Sequence, residues 1–174
     1  MLFGTVIGTC GIAWTEQGIC SVQLPEINES ETRARLLARR PGAVEAAPSL
    51  EAARARDDIV ALLHGMQIDV SGIRLDMARV PPFHQQVYQI ACKTKSGETL
   101  TYGEVAARLG MPGAARAVGL ALGKNPLPIV IPCHRILAKG SKTGGFSTYG
   151  GAATKMRLLA IEGFRPGGAP GLFD

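Results

Sequence analysis

Between Asn125 and Ile136 the chain reads NPLPIVIPCHRI, with prolines at 126, 128 and 132. Three prolines in seven residues fix φ at three points and remove three backbone donors, so this stretch cannot be helical. It reads as a stiff, extended path whose Ile129-Val130-Ile131 core is apolar and seeks burial. Cys133 stands at the end of that path, placed by the chain rather than by a loose loop. A rigidly held thiol beside the imidazole of His134 is a candidate nucleophile. Side chains at successive positions of an extended chain point apart. His134 therefore acts on the sulfur only if the chain turns there or through a water.

Upstream, Thr101-Tyr102-Gly103-Glu104 has the S/T-x-x-E form of a capping box and opens a helix running to Leu109. Gly110-Met111-Pro112-Gly113 forms a turn, and Pro112 starts the next helix, through GAARAVGLALG. Two short helices across a three- or four-residue turn containing Gly make a helix-turn-helix. A base-reading second helix would carry Asn, Gln, Arg or Lys on its outer face. Over residues 113–123 only Arg116 is polar. An unpaired arginine is costly to bury, and each mid-helix glycine costs about 1 kcal/mol relative to Ala. Such a smooth helix with one long cation suits close approach to a phosphate backbone, or an Arg filling the space of an extruded base.

The first half differs in character. Residues 2–24 read as short strands, LFGTVIG and CSVQL, with Gly11, Glu16, Gln17 and Gly18 as turn residues between them. Residues 27–39 are polar and helix-permissive, and 39–49 form a Pro/Gly/Ala-rich connector. Ser49 caps a helix through LEAARARDDIVALLHG that stops at Gly65. IDVSGIRLDMARV then reads as an extended linker to Pro81 and Pro82, after which FHQQVYQIAC is helical. The boundary falls near residue 78, giving domains 1–78 and 79–174. The fold class is mixed α/β: a small N-terminal α/β domain with a short antiparallel sheet, and a mainly helical C-terminal domain carrying a winged-helix-like helix-turn-helix.

The formal charge of +5 agrees with a polyanionic partner, but no run of five basic residues exists. A folded surface, not a tail, must make any such contact. No apolar stretch approaches the ~18 residues of a membrane span, and the N-terminus lacks a signal peptide's basic region. The expected location is the cytoplasm. Cysteines at 10, 20, 92 and 133 form no C-x-x-C pair and have no histidine at zinc-ligand spacing, so no metal is expected. Cys10, Cys20 and Cys92 read as small buried hydrophobes.

PCHRI after NPLPIVI, with TYGEVAARLG and AARAVG before it and GGFSTYGGAATKMRLLAIEG after it, resembles the O6-alkylguanine-DNA alkyltransferase family, the methylated-DNA–protein-cysteine methyltransferases. The resemblance is close over about residues 80–164; earlier residues match that family's N-terminal domain only in general shape. It implies that Cys133 accepts an alkyl group and that His134, through a water, withdraws its proton. Glu162 would orient the imidazole, Tyr102 protonate the departing guanine, and Asn125 hold the turn. Arg116 would replace the flipped nucleotide, with Ala114, Ala115, Gly119, Thr101 and Lys124 also at the DNA. Ile136, Arg135 and the loop residues Ser147, Thr148, Tyr149 and Gly150 would surround the base. Family members of the human type carry aromatic-Ser-Gly-Gly where this chain has Phe146-Ser147-Thr148-Tyr149-Gly150-Gly151, so Ser147, Thr148 and Tyr149 all stand as the residue that meets O6. The implied partner is double-stranded DNA bearing O6-alkylguanine, with O4-alkylthymine as a further implied lesion, bound from the minor groove by a monomer without a cofactor.

Rival readings make different demands. A helix-turn-helix regulator needs base-reading side chains and has no use for PCHR. A non-catalytic, lesion-sensing relative replaces the acceptor cysteine. A Cys-His hydrolase needs an oxyanion pattern, and none precedes Cys133.

Overall fold

A computed structural model describes residues 1–140 and 144–165. The chain begins with a meander, β1 (Leu2–Thr5), β2 (Gly8–Thr15) and β3 (Gly18–Gln23), paired antiparallel in that order. Gly11 is not a turn residue but the middle of β2, opposite both Leu2 and Gln23. A Cβ there would lie 2.9 Å from Leu36 Cδ2 and 3.0 Å from Leu2 Cδ2. Its glycine is thus explained by a helix packed close over the sheet. That helix is α1 (Glu29–Arg39), capped by Asn28. Beside it runs α2 (Leu50–Leu63), whose N-cap Ser49 accepts from the Ala52 amide as its sequence requires. Ile12, Ile19, Val22, Ala52, Ala55 and Ile59 are buried in the core they share.

The stretch read as a linker does more than connect. Leu75 forms a bridge with Ile19, Ile19 N donates to Arg74 O (2.8 Å), and Asp76 N donates to Ile19 O (2.9 Å). The free edge of β3 carries unpaired donors and acceptors that need partners, and this segment satisfies them. A few residues on, Val22 N donates to Pro126 O (2.8 Å), so the same edge also holds the proline-rich segment.

The C-terminal half consists of α3 (Pro82–Cys92), β4 (Leu100–Thr101), α4 (Tyr102–Arg108), α5 (Ala115–Gly123), a 3₁₀ turn (Cys133–Arg135), β5 (Ile136–Leu137) and α6 (Gly151–Ile161). The capping box is formed: Glu104 N donates to Thr101 Oγ1 (3.2 Å) and Thr101 N to Glu104 Oε2 (2.6 Å). The second helix starts at Ala115, three residues later than Pro112 predicts, and residues 109–114 make the connection. Gly113 explains the delay, because its backbone entropy opposes helix extension. Val118, Ala121 and Leu122 of α5 are buried, while Arg116 and Ala117 are exposed and Leu120 is 62% exposed. Among the described residues no helix is long and apolar enough to cross a membrane.

Candidate functional site

The proline-rich segment is folded rather than extended. Ile131 N reaches back to Leu127 O (2.8 Å), and Pro128 bridges Ile131. Ile129 sits at φ 76°, unusual for a β-branched residue and strained by about 1–3 kcal/mol. Asn125 staples this turn from both sides: its amide donates to Ile131 O and its carbonyl accepts from Leu127 N, each at 2.9 Å. Three prolines remove donors that an extended strand would need. The remaining groups are satisfied within the turn and by β3.

From that turn Cys133 enters the 3₁₀ helix, with its amide bonded to Ile131 O (2.8 Å). This local helix also resolves how neighbouring side chains of Cys133 and His134 can serve one site, since the chain is not extended there. Cys133 is 6% exposed. Burial pushes its thiol up from the ordinary value, against the Asn125 side chain and the Lys155 ammonium, which favour the thiolate.

His134 is 2% exposed, and its Nε2 lies 2.9 Å from Glu162 Oε1. A carboxylate acceptor at Nε2 places the ring proton there in the neutral imidazole and leaves Nδ1 as the basic nitrogen. Nδ1 is buried and has no protein partner among the described residues. Glu162 is also held by Arg135, whose Nε donates to Oε2 (2.9 Å) and Nη2 to Oε1 (2.8 Å), while Nη1 donates to Thr94 O (2.5 Å). Burial alone would raise the Glu162 pKa. The hydrogen bonds and charges of His134 and Arg135 overcome it and hold the carboxyl at about 2. The guanidinium of Arg135, a residue expected at the base, is bonded here to Glu162 and Thr94 O.

Tyr102 stands opposite Cys133 across a narrow cleft lined also by Gly119, Leu122, Gly145, Phe146, Ser147 and Thr148. Burial, then the nearby Cys133, raises its phenol pKa, so it stays protonated at neutral pH. The loop presses close: a Cβ on Gly144, at φ 68°, would lie 2.7 Å from Tyr102 Oη. Of the three residues left open for the O6 contact, Ser147 and Thr148 line the cleft; Tyr149 does not and is half exposed. Gly150 caps α6 in the left-handed conformation instead of lining the cleft. Ile136 is the other residue expected beside the base. Its side chain is fully buried in the core, and its carbonyl accepts from Lys155 Nζ at 2.6 Å.

Lys155 is the residue that sequence reasoning missed. It is 1% exposed, lies 5.6 Å from the centre of the Tyr102 ring, and burial lowers its pKa to about 8 despite the favourable charge of Cys133. A signal existed: 155, 158, 159 and 162 share one helical face, so the leucines that mark the inward stripe of α6 place Lys155 and Glu162 on it too. Gln23, Leu24 and Arg39 also line the cleft from the N-terminal half. Around the helix-turn-helix, Arg116 projects outward from α5, Ala114, Ala115 and Gly119 are half-buried, Lys124 is exposed, and the Thr101 hydroxyl is taken up by the capping box. Cys10 and Cys20 are buried as expected, but Cys92 is exposed at the end of α3.

A helix-turn-helix beside a buried cysteine and a His–Glu pair defines the class of DNA-binding folds that hold a buried thiol in a cleft. Residues 82–164 match the 6-O-methylguanine DNA methyltransferase DNA-binding domain. The methylated-DNA–protein-cysteine methyltransferase of Methanothermobacter thermautotrophicus is 31% identical over 153 residues, covering 88% of this chain and 78% of that protein. The Mycobacterium tuberculosis protein of the same name is 43% identical over 102 residues, which is 59% of this chain and 60% of that relative. The crystal structure of Mycobacterium tuberculosis OGT in complex with DNA superposes with a TM-score of 0.71 at 30% identity, covering 92% of this chain and 90% of that one. The chain belongs to the methylated-DNA–protein-cysteine methyltransferase family.

Proposed function

We propose that this protein repairs DNA by direct reversal, moving an alkyl group from O6 of guanine in double-stranded DNA onto Cys133, once per molecule. One observation carries the reading: a buried thiol, held by a stapled turn, next in the chain to a buried imidazole whose Nε2 is tied to a carboxylate and whose Nδ1 has no partner among the described residues. The N-terminal residues 1–78 form a scaffold domain that supplies part of the cleft wall, and residues 79–174 carry the chemistry. The protein acts as a monomer.

The resting sulfur is a thiol, because burial disfavours its charge. A thiol of ordinary pKa near 8.5 is ~7% ionised at pH 7.4, so complete ionisation gains about tenfold, roughly 1.5 kcal/mol, and gains more at Cys133, whose pKa burial raises. Positioning must supply more, and effective molarities for well-aligned reactants allow several kcal/mol. His134 Nδ1 takes the Cys133 proton through one water, and Glu162 stabilises the imidazolium. Sulfur then attacks the alkyl carbon as the carbon–O6 bond breaks and its electron pair passes to the purine. Tyr102 donates its phenolic proton so that guanine leaves neutral, and the Lys155 ammonium offsets charge on both Cys133 and Tyr102. The product is a thioether that water does not cleave, which limits the protein to one turnover.

The target atom lies inside the duplex, so the nucleotide must swing out. Small residues Ala114, Ala115 and Gly119 let α5 approach the minor groove closely, and Arg116 fills the gap in the stack. The reactive cleft has free space of about 30 Å³, room for about one or two waters. A base therefore enters only as the Gly145–Thr148 loop and the facing wall move apart. Intact-mass analysis after mixing with O6-methylguanine duplex tests the proposal. The expected result is a gain of one methylene on Cys133 with one equivalent consumed; an unmodified Cys133 peptide, or repeated turnover, refutes it.

A further inference from the structure

A second cleft, with free space of about 420 Å³, adjoins the reactive one and shares Arg39, Gly123 and Asn125 with it. It opens between β3, the end of α1, the residues entering α3 and the end of α5. Its polar wall includes Ser21, Arg39, Arg40, Arg79, His84 and Lys124, and no lining residue is Asp or Glu. Arg40 donates to Cys20 O. Arg39, Arg79 and Lys124 form no ion pair among the described residues.

Two carboxylates act on these arginines through space without pairing with them, Asp76 on Arg40 and Arg79 and Glu26 on Arg39. Asp76 accepts from Thr15 Oγ1 and Ala78 N, and Glu26 accepts from Gln23 Nε2. Burial and the charges of Arg35 and Arg40 weigh on the Arg39 guanidinium, with Glu26 opposing them, while burial and Lys124 lower the His84 pKa. A separate observation concerns Ser21. It is 0% exposed, yet its hydroxyl has no hydrogen-bond partner among the described residues. Native structures rarely leave such a group unpaired without a missing ligand or water to explain it. Cations that form no ion pair, around a void whose lining includes an unsatisfied hydroxyl, suit an anion with several acceptor oxygens.

We propose that this cleft binds the phosphate of a sugar–phosphate unit, with Arg39, Arg79 and Lys124 providing charge and the Ser21 hydroxyl donating to a phosphate oxygen. The space is too large for a phosphate alone and suits one carrying its sugar. The shared wall with the reactive cleft favours the backbone of the strand whose nucleotide is extruded. That choice of source rests on the proposed repair function; the phosphate chemistry itself does not. The N-terminal domain would then hold DNA as well as support the site.

Arg79→Gln and Ser21→Ala test the assignment, each in a Cys133→Ala background that binds lesion duplex without reacting. With the DNA backbone as source, Arg79→Gln lowers the slope of log Kd against log salt by about 0.9. The parent then loses about 3.5-fold more affinity than the variant between 50 and 200 mM salt. With a free nucleotide as source, that slope is unchanged, and deoxyguanosine monophosphate binds the parent but at least tenfold more weakly to both variants. An unchanged slope together with unchanged or absent nucleotide binding overturns the proposal. With Cys133 restored, both variants keep the parental rate towards free O6-benzylguanine and the parental melting temperature. A lost phosphate site is thereby distinguished from a failed acceptor reading and from misfolding.

Discussion

Replacing Glu162 by Gln keeps the shape of the side chain and removes the charge on which His134 and Arg135 converge. In the folded protein this carboxyl sits at about 2 against an ordinary 4.5. At 1.36 kcal/mol per unit, that difference corresponds to about 3.4 kcal/mol favouring the folded carboxylate. The amide retains weaker hydrogen bonds worth about 1 kcal/mol, so the expected loss of stability at neutral pH is about 2 kcal/mol. For a chain of this size that lowers the melting temperature by roughly 4–8 °C. A depressed folded-state pKa contributes stability that is complete above about 4.5 and disappears as pH falls towards about 2. Urea midpoints of the reduced wild type and variant should therefore differ most near neutral pH and converge under acid. The same substitution removes the counter-charge of the His134 imidazolium, and the single-turnover alkylation rate should fall by about 10²-fold. A stability gap that is absent at neutral pH, or constant down to about pH 3, would refute the ion-pair reasoning.

Three further outcomes follow from the site. Arg116→Ala should slow repair of lesion duplex by about tenfold or more, since extrusion costs a few kcal/mol, while reaction with free O6-benzylguanine is unchanged; equal losses on both substrates count against an intercalating role. Lys155→Gln should slow alkylation at neutral pH, with the ratio to wild type narrowing as pH rises through about 8, where the native ammonium itself loses its proton; a pH-independent ratio would show that its charge is irrelevant. Gly144→Ala places a methyl 2.7 Å from Tyr102 Oη in a left-handed backbone. It should cost about 1–2 kcal/mol of local stability and reduce the alkylation rate at unchanged DNA affinity, both readable by denaturation and single-turnover kinetics.

Local chemistry was legible in the chain wherever a residue acts within its own turn. Ser49 and Thr101 cap helices because a short hydroxyl side chain reaches the amide two or three residues on, whatever the rest of the fold does. Prolines at 126, 128 and 132 likewise exclude helix, although their rigidity alone does not say where the path bends. That it folds back on itself depends on Asn125 gripping two backbone groups and on β3 offering an edge to Pro126. Gly11 shows the opposite failure: read as a turn, it is a strand residue whose missing side chain makes room for Leu36 from α1.

The sequence by itself determined which features stand as candidates for the site: one cysteine adjoining a histidine in a stiff segment, and a smooth helix with a single arginine. The family resemblance assigned their roles. Only the tertiary structure decided their electrostatics. Arg135 turns to Glu162, Lys155 is drawn beneath Tyr102 beside Cys133, and Gln23, Leu24 and Arg39 arrive from over 90 residues away to wall the cleft. The reason is range. Backbone propensities act over one turn, whereas burial and charge act through space between residues that chain order does not relate.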